Sequence, residues 1–376
     1  MSGMGEERVE LNDFRRQWVE VRGDVLTAVE RVGASGWYVL GEEVRAFERD
    51  LAARWGLSQA VGVGSGLDAI EVALRACRVA SGDKVLTTPL SAFATSLAIV
   101  RAGGIPVFVD VDNMGLIDLD ECRKALRSDR AIRAAVPVHL YGFSIDSEAL
   151  RVLGDEFDLC IVEDCAQSFG AEWKGCPTGK VGRAAATSFY PTKNLGAMGD
   201  GGAVLTGSPD LAERAKAIRH YGQRKTYSHE LFGLNSRLDE LQAAILSGAM
   251  LPRLGAWTSR RREIAAIYLE SIENREIDTP SVPPAMRPCW HLFPVLVQEE
   301  RRQAFMQYMS SRGIATGIHY PTLIPSQPAL EGQVFEVRGS LPTARRVCGS
   351  EVSLPIHPQL TESEISRVVA ACNEWR

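Results

Sequence analysis

The stretch VGVGSGLDAIEVALRA, residues 61–76, joins an apolar run, a glycine-rich turn and a segment with helical periodicity. This order is typical of an α/β protein, in which the first N–H groups of the helix are unpaired and face the turn. The turn is either an ordinary connection or a site for an anion. A dinucleotide fingerprint is excluded because Leu67 stands where a third glycine or an alanine is required.

The same alternation of short β-branched runs and helical segments continues beyond this stretch, which predicts a large domain with a mostly parallel mixed sheet flanked by helices. The predicted strands cover residues 60–64, 84–89, 106–111, 134–140, 159–164, 186–190 and 201–206, the last antiparallel to its neighbour. A helical region over 236–275, interrupted by Pro252, leads into a smaller α+β pattern. We therefore expect a large domain over 1–250 and a small C-terminal domain over 251–376.

Composition limits the classes of function. The 376 residues are 45% hydrophobic and carry a net charge of -5, which argues against nucleic acid or an anionic membrane as the main partner. No apolar run is long enough to cross a membrane and no signal peptide is evident, so we expect a cytoplasmic protein. The eight cysteines form no C-x-x-C pair and the six histidines no H-E-x-x-H motif, so no metal site is predicted.

Lys193 lies in a segment that is rich in glycine and poor in charge, AATSFYPTKNLGAMGDGGAVLTG, residues 185–207. A loop lysine is commonly a solvated surface charge. A nucleophilic amine, however, requires a setting of this kind, where few charges stabilise its protonated form. Ser188 supplies a hydroxyl nearby.

Asp164 ends the apolar run LCIVED, residues 159–164. It either caps the next helix or pairs with a cation. A lysine for a Schiff base, an acid for a pyridinium nitrogen and a helix N-terminus for a phosphate are together the requirements of pyridoxal phosphate. On this interpretation Lys193 carries the cofactor and Asp164 keeps its ring nitrogen protonated, while Gly66, Leu67 and Ser188 bind its phosphate.

Six motifs, in several parts of the chain, support this interpretation. SFYPTKNLGAMGDGGAV, VEDCAQSFGA, VGVGSGLDAIEVAL, RHYGQRKTYSH, GLNSRLDELQAAIL and HYP resemble those of the DegT/DnrJ/EryC1/StrS nucleotide-sugar aminotransferases. The resemblance covers essentially the whole chain. It implies a fold-type I pyridoxal-phosphate enzyme, a homodimer with shared active sites, which transfers an amino group from L-glutamate to a keto-sugar on a nucleoside diphosphate.

By motif position, the resemblance assigns the covalent lysine to Lys193, the ring-nitrogen contact to Asp164, a contact near the ring hydroxyl to Gln167 and a phosphate contact to Ser188. It also implies that Asn235 reaches the cofactor phosphate of the partner subunit. Two positions depart from many relatives. Leu67 replaces a threonine, and the aromatic residue that stacks on the cofactor aligns near Ala92, so Phe93 is the candidate for stacking.

The substrate contacts are predicted from one basic segment and from resemblance. RHYGQRKTYSH contains Arg219, Lys225 and His229 in an otherwise acidic chain, and is either a solvated loop or a site for a diphosphate. Resemblance alone adds Tyr38, Tyr221, His319 and Tyr320. His291 is either a further contact or a strand residue with a satisfied hydrogen bond.

Three alternatives compete with a 3-keto-sugar aminotransferase. A dehydratase on the same fold is disfavoured because relatives of that kind replace the lysine, typically with histidine. A regulatory protein without turnover has no need to retain Lys193, Asp164 and Ser188 together. Amination at C4 remains open, although several motifs look closer to the branch that acts on 3-keto-6-deoxy sugars.

Overall fold

The computed structural model describes residues 8–376. In this range the helices are α1 Phe14–Ser35, α2 Glu42–Trp55, α3 Gly66–Ala76, α4 Phe93–Arg101, α5 Leu119–Ser128, α6 Ser147–Phe157, α7 Pro209–Arg219, α8 Glu240–Ile245, α9 Leu254–Ser271, α10 Arg302–Ser311, α11 Pro342–Ser350 and α12 Glu362–Glu374. The strands are β1 Gln59–Val63, β2 Lys84–Thr87, β3 Ile105–Phe108, β4 Ile132–Val136, β5 Cys160–Asp164, β6 Glu172–Trp173, β7 Cys176–Pro177, β8 Ala184–Ser188, β9 Gly202–Thr206, β10 Gln223–Lys225, β11 Ser228–His229, β12 Met286–Arg287, β13 Phe293–Leu296, β14 Glu336–Val337 and β15 Glu351–Leu354.

The main sheet has eight strands in the order β1-β9-β8-β5-β4-β2-β3-β14. β9 is antiparallel to both β1 and β8, and the other pairings are parallel. The predicted parallel sheet with one reversed strand is therefore confirmed. As a result, the carboxyl ends of β1, β5 and β8 meet at one edge.

Apolar side chains cover both faces of this sheet. On one face α3, α4 and α7 pack on the valines and alanines of β1, β5, β8 and β9. On the other face α1, α2 and α8 enclose a second cluster that includes Phe47 and Phe189. A third cluster runs from β2, β3 and β4 into the C-terminal part of the chain. This double cover explains why the strands are almost continuously hydrophobic.

The helical region predicted over 236–275 is divided. Helix α8 continues into a π-helical turn, Leu246–Met250, and α9 starts at Leu254 after Pro252. Pro252 lacks an N–H and cannot continue the helix, as the sequence predicted. The prediction is wrong at both ends: residues 236–239 form the loop that leads into α8, and residues 272–275 lie beyond the end of α9 at Ser271.

The C-terminal part has its own antiparallel pair, β13 with β15, and the helices α10, α11 and α12. It also pairs with the rest of the chain at two places. Strand β14 adds to the main sheet beside β3, and Val9 pairs with Ile314. The division at residue 250 remains a prediction.

Candidate active site

Two of the predicted residues lie at the shared edge of the main sheet, Asp164 at the end of β5 and Ser188 at the end of β8. Ser65 follows β1 at the same edge. Ligands of open α/β sheets bind outside the carboxyl ends of the strands, so this edge is the expected place for a site.

The turn after β1 leaves two backbone amides available to a ligand. The Ser65 hydroxyl caps α3 by accepting a hydrogen bond from the Asp68 N–H at 3.1 Å. The N–H groups of Gly66 and Leu67, in the first turn of α3, have no hydrogen-bond acceptor among residues 8–376. A β-carbon on Gly66 would lie 2.5 Å from the Ser188 Cβ, so glycine is needed where the turn meets β8. Both amides and the Ser188 hydroxyl are thus positioned for an anion.

Asp164 is a buried carboxylate. One oxygen accepts a hydrogen bond from the Thr95 hydroxyl at 2.9 Å and the other from the Ala166 N–H at 3.1 Å. Burial raises the pKa of Asp164, while these hydrogen bonds and the charge of Lys193 oppose the rise. A buried carboxylate of this kind is stabilised by a cation such as a protonated ring nitrogen. No helix starts directly after β5, because the chain turns there and continues into β6. Asp164 therefore does not cap a helix.

Lys193 lies in the loop between β8 and β9, and its N–H donates to the Tyr190 carbonyl at 2.8 Å. Burial lowers the pKa of the Lys193 amine to about 8, and the Asp164 carboxylate opposes this effect. An ordinary lysine has a pKa near 10.5. A larger fraction of Lys193 is therefore neutral, and nucleophilic, near physiological pH.

Gln167 connects the Asp164 segment to the C-terminal part of the chain. Its side-chain carbonyl accepts the Tyr141 N–H at 2.6 Å, and its amide nitrogen donates to the Tyr320 hydroxyl at 3.1 Å. Gln167 and Tyr320, both predicted site residues, therefore lie in contact. The neighbouring residue is His319. Burial and, to a smaller extent, the charge of Lys193 lower the pKa of His319 to about 4.

His291 is a buried residue beside the lysine loop. Its Nδ1 atom lies 3.3 Å from the side-chain oxygen of Asn194, the residue after Lys193. Burial lowers the pKa of His291 well below its usual range, and the Lys193 charge adds to the effect. His291 is therefore a neutral residue that packs against the lysine loop.

Two predicted residues have partners that the sequence did not indicate. Arg219 is buried, and its guanidinium donates to the Glu48 carboxylate and, at 2.7 Å, to the Gly62 carbonyl. Its charge is thus used inside the subunit, which favours a structural role over the predicted substrate contact. Phe93 starts α4 and packs against a small apolar cluster around Phe108. The predicted stacking of Phe93 on a cofactor remains a prediction.

A second group of predicted residues lies on the exposed surface of the subunit. The group comprises Tyr38, Tyr221, Lys225, His229 and Asn235. Lys225 and His229 belong to the short β10–β11 hairpin, and Asn235 pairs with His220 beyond it. The next residue, Ser236, accepts the Gly64 N–H at 3.0 Å and donates to Asp68 at 2.8 Å. The Asn235 loop is therefore fixed against the glycine turn.

The sequence reasoning missed Thr95 and Tyr141. Thr95, on the first turn of α4, supplies a hydroxyl to Asp164. It follows the end of β2, so a search for polar residues after every strand would have found it. Tyr141 has a left-handed backbone, with φ 60°, and its hydroxyl donates to the His319 carbonyl. No local motif indicated Tyr141, because its partners are distant in sequence.

One buried cluster contains the residue types that bind metals, namely His139, Glu163 and Cys165. Its carboxylate is already satisfied: Glu163 accepts hydrogen bonds from His139 Nε2 and from the N–H groups of Gly179, Val181 and Gly182. These contacts give the cluster a structural role, and the absence of a metal site remains a prediction.

The sequence of this chain matches a known protein family. The profile described as the DegT/DnrJ/EryC1/StrS aminotransferase family matches residues 20–373. The chain belongs to this family. The predicted aminotransferase and its family are therefore confirmed, and so is the fold-type I architecture, since solved members of the family share it along nearly the whole chain.

Among relatives within the family, a dTDP-3-amino-3,4,6-trideoxy-alpha-D-glucose transaminase of Streptomyces venezuelae is 42% identical over 370 residues, 98% of this chain and 96% of the relative. A pleiotropic regulatory protein of Geobacillus stearothermophilus is 36% identical over 368 residues, 98% of each chain. The crystal structure of S. venezuelae DesV in complex with a ketimine intermediate is similar with a TM-score of 0.93, at 42% identity and 98% coverage of both chains.

No helix within residues 8–376 has the length and apolar character needed to cross a membrane.

Proposed function

We propose that this aminotransferase uses pyridoxal phosphate to transfer an amino group from L-glutamate to C3 of a dTDP-3-keto-6-deoxyhexose. The observation that carries the proposal is the grouping of a lysine of lowered pKa, a buried carboxylate and two free amides at one edge of the sheet. These groups match the aldehyde, the ring nitrogen and the phosphate of the cofactor, respectively.

The described residues fit pyridoxal phosphate. The first turn of α3, with Ser188 beside it, offers N–H and O–H donors to a dianionic phosphate. Asp164 offers a buried negative charge to a protonated ring nitrogen, which removes the cost of burying that carboxylate alone. Lys193 offers an amine for the covalent bond. When bound, the cofactor supplies an electron sink for the charge that develops on the substrate carbon.

The protein's own residues have separate tasks. Lys193, with a pKa of about 8, accepts a proton at Nζ and returns it within the accessible pH range. Thr95 fixes the orientation of the Asp164 carboxylate through its hydrogen bond to Oδ2. Gln167 holds the Tyr320 hydroxyl, and with it the C-terminal segment that carries Tyr320, against the site.

The dTDP-3-keto substrate is proposed from motif resemblance and from the name of the S. venezuelae transaminase. Lys225 and His229 are exposed on the β10–β11 hairpin. Their N–H groups would bind a diphosphate if the hairpin faces an active site. L-Glutamate as amino donor is proposed from the family resemblance alone.

We also propose a homodimer with shared active sites. Large apolar side chains are exposed along α1 and on the loop that follows it, including Val19, Leu26, Trp37 and Tyr38. Tyr190 and Met198, on either side of Lys193, are 52% and 47% exposed. Apolar surface of this extent is typical of an interface, and here it borders the lysine loop. A partner seated there would bring its own exposed residues, such as Asn235, close to the site.

A regulatory role is the second candidate, because one relative carries the name of a pleiotropic regulatory protein. A regulator without turnover does not require a lysine of lowered pKa beside a buried carboxylate. The amine at position 193 also disfavours a dehydratase of this family. The arrangement supports turnover as an aminotransferase.

The test is to incubate the purified protein with pyridoxal phosphate, L-glutamate and a panel of 3-keto and 4-keto sugar nucleotides. We expect NMR of the product to show nitrogen on C3 of a dTDP-linked sugar, and Lys193→Ala to give no product. A 4-amino product with no reaction of the 3-keto compounds would overturn the regiochemistry only. If no amino sugar forms from any of them, the proposed reaction is wrong.

A further inference from the structure

A series of hydrogen-bonded side chains leads from the C-terminal part of the protein toward the proposed active site. Glu351 and Ser353 lie on β15, where both are fully buried, and His319 lies on the segment beside this strand. The Ser353 hydroxyl donates to Glu351 Oε1, and the His319 Nδ1 atom lies 2.9 Å from the Ser353 oxygen. The second oxygen of Glu351 accepts the His319 N–H at 2.6 Å.

These contacts determine which nitrogen of His319 carries the proton. Above the pKa of about 7 to which burial raises Glu351, the carboxylate is ionised and can only accept, so the Ser353 hydroxyl must donate its one proton to Glu351. The Ser353 oxygen then accepts from His319, which places the proton on Nδ1. Nε2 keeps its lone pair, and it has no hydrogen-bond partner among the described residues.

The backbone of His319 is held as firmly as its ring. Its carbonyl accepts the Tyr141 hydroxyl, and Gly317, two residues earlier, pairs with Ser353 through hydrogen bonds of 2.8 and 3.1 Å. The imidazole therefore has little freedom to rotate and exchange its two nitrogens.

We propose that Glu351 and Ser353 are positioning residues that fix His319 as the Nδ1–H tautomer, so that Nε2 accepts a hydrogen bond from an N–H donor in the Lys193 site. Two donors of this kind occur in an aminotransferase, the ammonium of Lys193 and the amino group of a substrate. The second part of the proposal rests on the proposed function, whereas the tautomer does not.

The electrostatics agree with a neutral acceptor. Burial and the Lys193 charge lower the pKa of His319 to about 4, so the ring is uncharged at neutral pH. An uncharged imidazole with a free lone pair is suited to an N–H donor and is poorly suited to bind the diphosphate of a nucleotide.

The tautomer can be measured directly with histidine labelled with ¹⁵N, in the holoenzyme at a pH of about 8.5, above the pKa of about 7 to which burial raises Glu351. We expect His319 to show a protonated Nδ1 and a bare Nε2. Glu351→Gln should reverse this, because the new amide can donate to Ser353, whose hydroxyl then donates to Nδ1. The exposed Glu300→Gln serves as the matched control and should leave the spectrum unchanged.

Ser353→Ala is a second variant in case Glu351→Gln does not fold. It removes the hydroxyl that connects Glu351 to His319, with little change in volume. We expect His319 to lose its single tautomer. A proton on Nε2 in the wild-type protein, or an unaltered tautomer in both variants, would overturn the proposal whatever the enzyme's activity.

Steady-state kinetics then identify the donor. If Nε2 serves Lys193, Glu351→Gln should lower kcat about 10-fold with KM for the amino donor unchanged, which is the effect of one lost hydrogen bond. If Nε2 serves the substrate amine, KM should rise by a similar factor. A reversed tautomer with normal kcat and normal KM would show that Nε2 has no partner in the site and would overturn that part of the proposal.

Discussion

At the scale of single residues, the proposed chemistry depends on Asp164 and Lys193. We expect Asp164→Asn to lower the rate on the order of 10²-fold or more, because a neutral amide does not hold a ring nitrogen protonated. Folding should be preserved, since the volume barely changes. Rate measurement, the visible spectrum of the bound cofactor and thermal unfolding check this. Asp118→Asn, at the start of α5, is the control for loss of a carboxylate. A normal rate with an unchanged spectrum would show that Asp164 is not the ring partner.

The second prediction concerns the Lys193 amine. With a pKa of about 8, its neutral fraction rises through pH 8, where it is about one half, and levels off above about pH 9. The rate at which pyridoxal phosphate attaches to cofactor-free protein should follow the same curve. Absorbance measurements from about pH 6 to about pH 10 provide the test. A rate that is still rising steeply at the top of this range would indicate an ordinary, solvated lysine.

Several of these residues could be predicted from the sequence and others could not. Lys193 and Asp164 stand out because a low-charge segment and a strand end are local features. Glu351 and Ser353 do not, because their role depends on contact with His319, more than 30 residues earlier in the chain. Arg219 lies in a basic segment that suggested a substrate contact, but its partner Glu48 lies on α2, far away in sequence.

At the scale of elements, the turn between β1 and α3 depends on glycine. Gly66→Ala would place a β-carbon 2.5 Å from the Ser188 Cβ and separate α3 from β8. We expect a loss of stability of about 1–3 kcal/mol and cofactor binding weaker by about 10-fold or more, since charge-assisted hydrogen bonds are disturbed. Equilibrium dialysis and thermal unfolding measure the two effects.

Gly64→Ala is the matched control in the same turn. Its β-carbon would meet the Ser236 hydroxyl at 3.4 Å, an ordinary contact. Cofactor affinity should therefore change much less than in Gly66→Ala. Equal losses in the two variants would mean that the approach of α3 to Ser188 does not form the phosphate site.

The elements themselves were predicted where hydrophobic period and turn chemistry agree. Seven of the eight strands of the main sheet, all but β14, and helix α3 follow from the alternation of short apolar runs with helical periods. The π-helical turn at Leu246–Met250 and the addition of β14 to the main sheet did not follow. Both arise from packing between distant segments, which local sequence does not encode.

At the scale of the whole molecule, the prediction is that two subunits build each site. Lys193→Ala and Asn235→Ala should each be inactive alone, and mixing them should restore part of the activity. One site of the mixed dimer then has a wild-type lysine and a wild-type asparagine. Lys193→Ala mixed with Asp164→Asn is the control and should not recover, because each site retains a defect. With subunit exchange verified, no recovery in the first mixture would place Asn235 outside the partner's site.

We propose that this family member holds pyridoxal phosphate on Lys193. The most direct measurement is reduction of the holoenzyme with borohydride, followed by peptide mapping of the fixed pyridoxyl group. We expect modification of Lys193 and none in Lys193→Ala. A pyridoxyl group on the exposed Lys174 or Lys180, or none on any lysine, would contradict it.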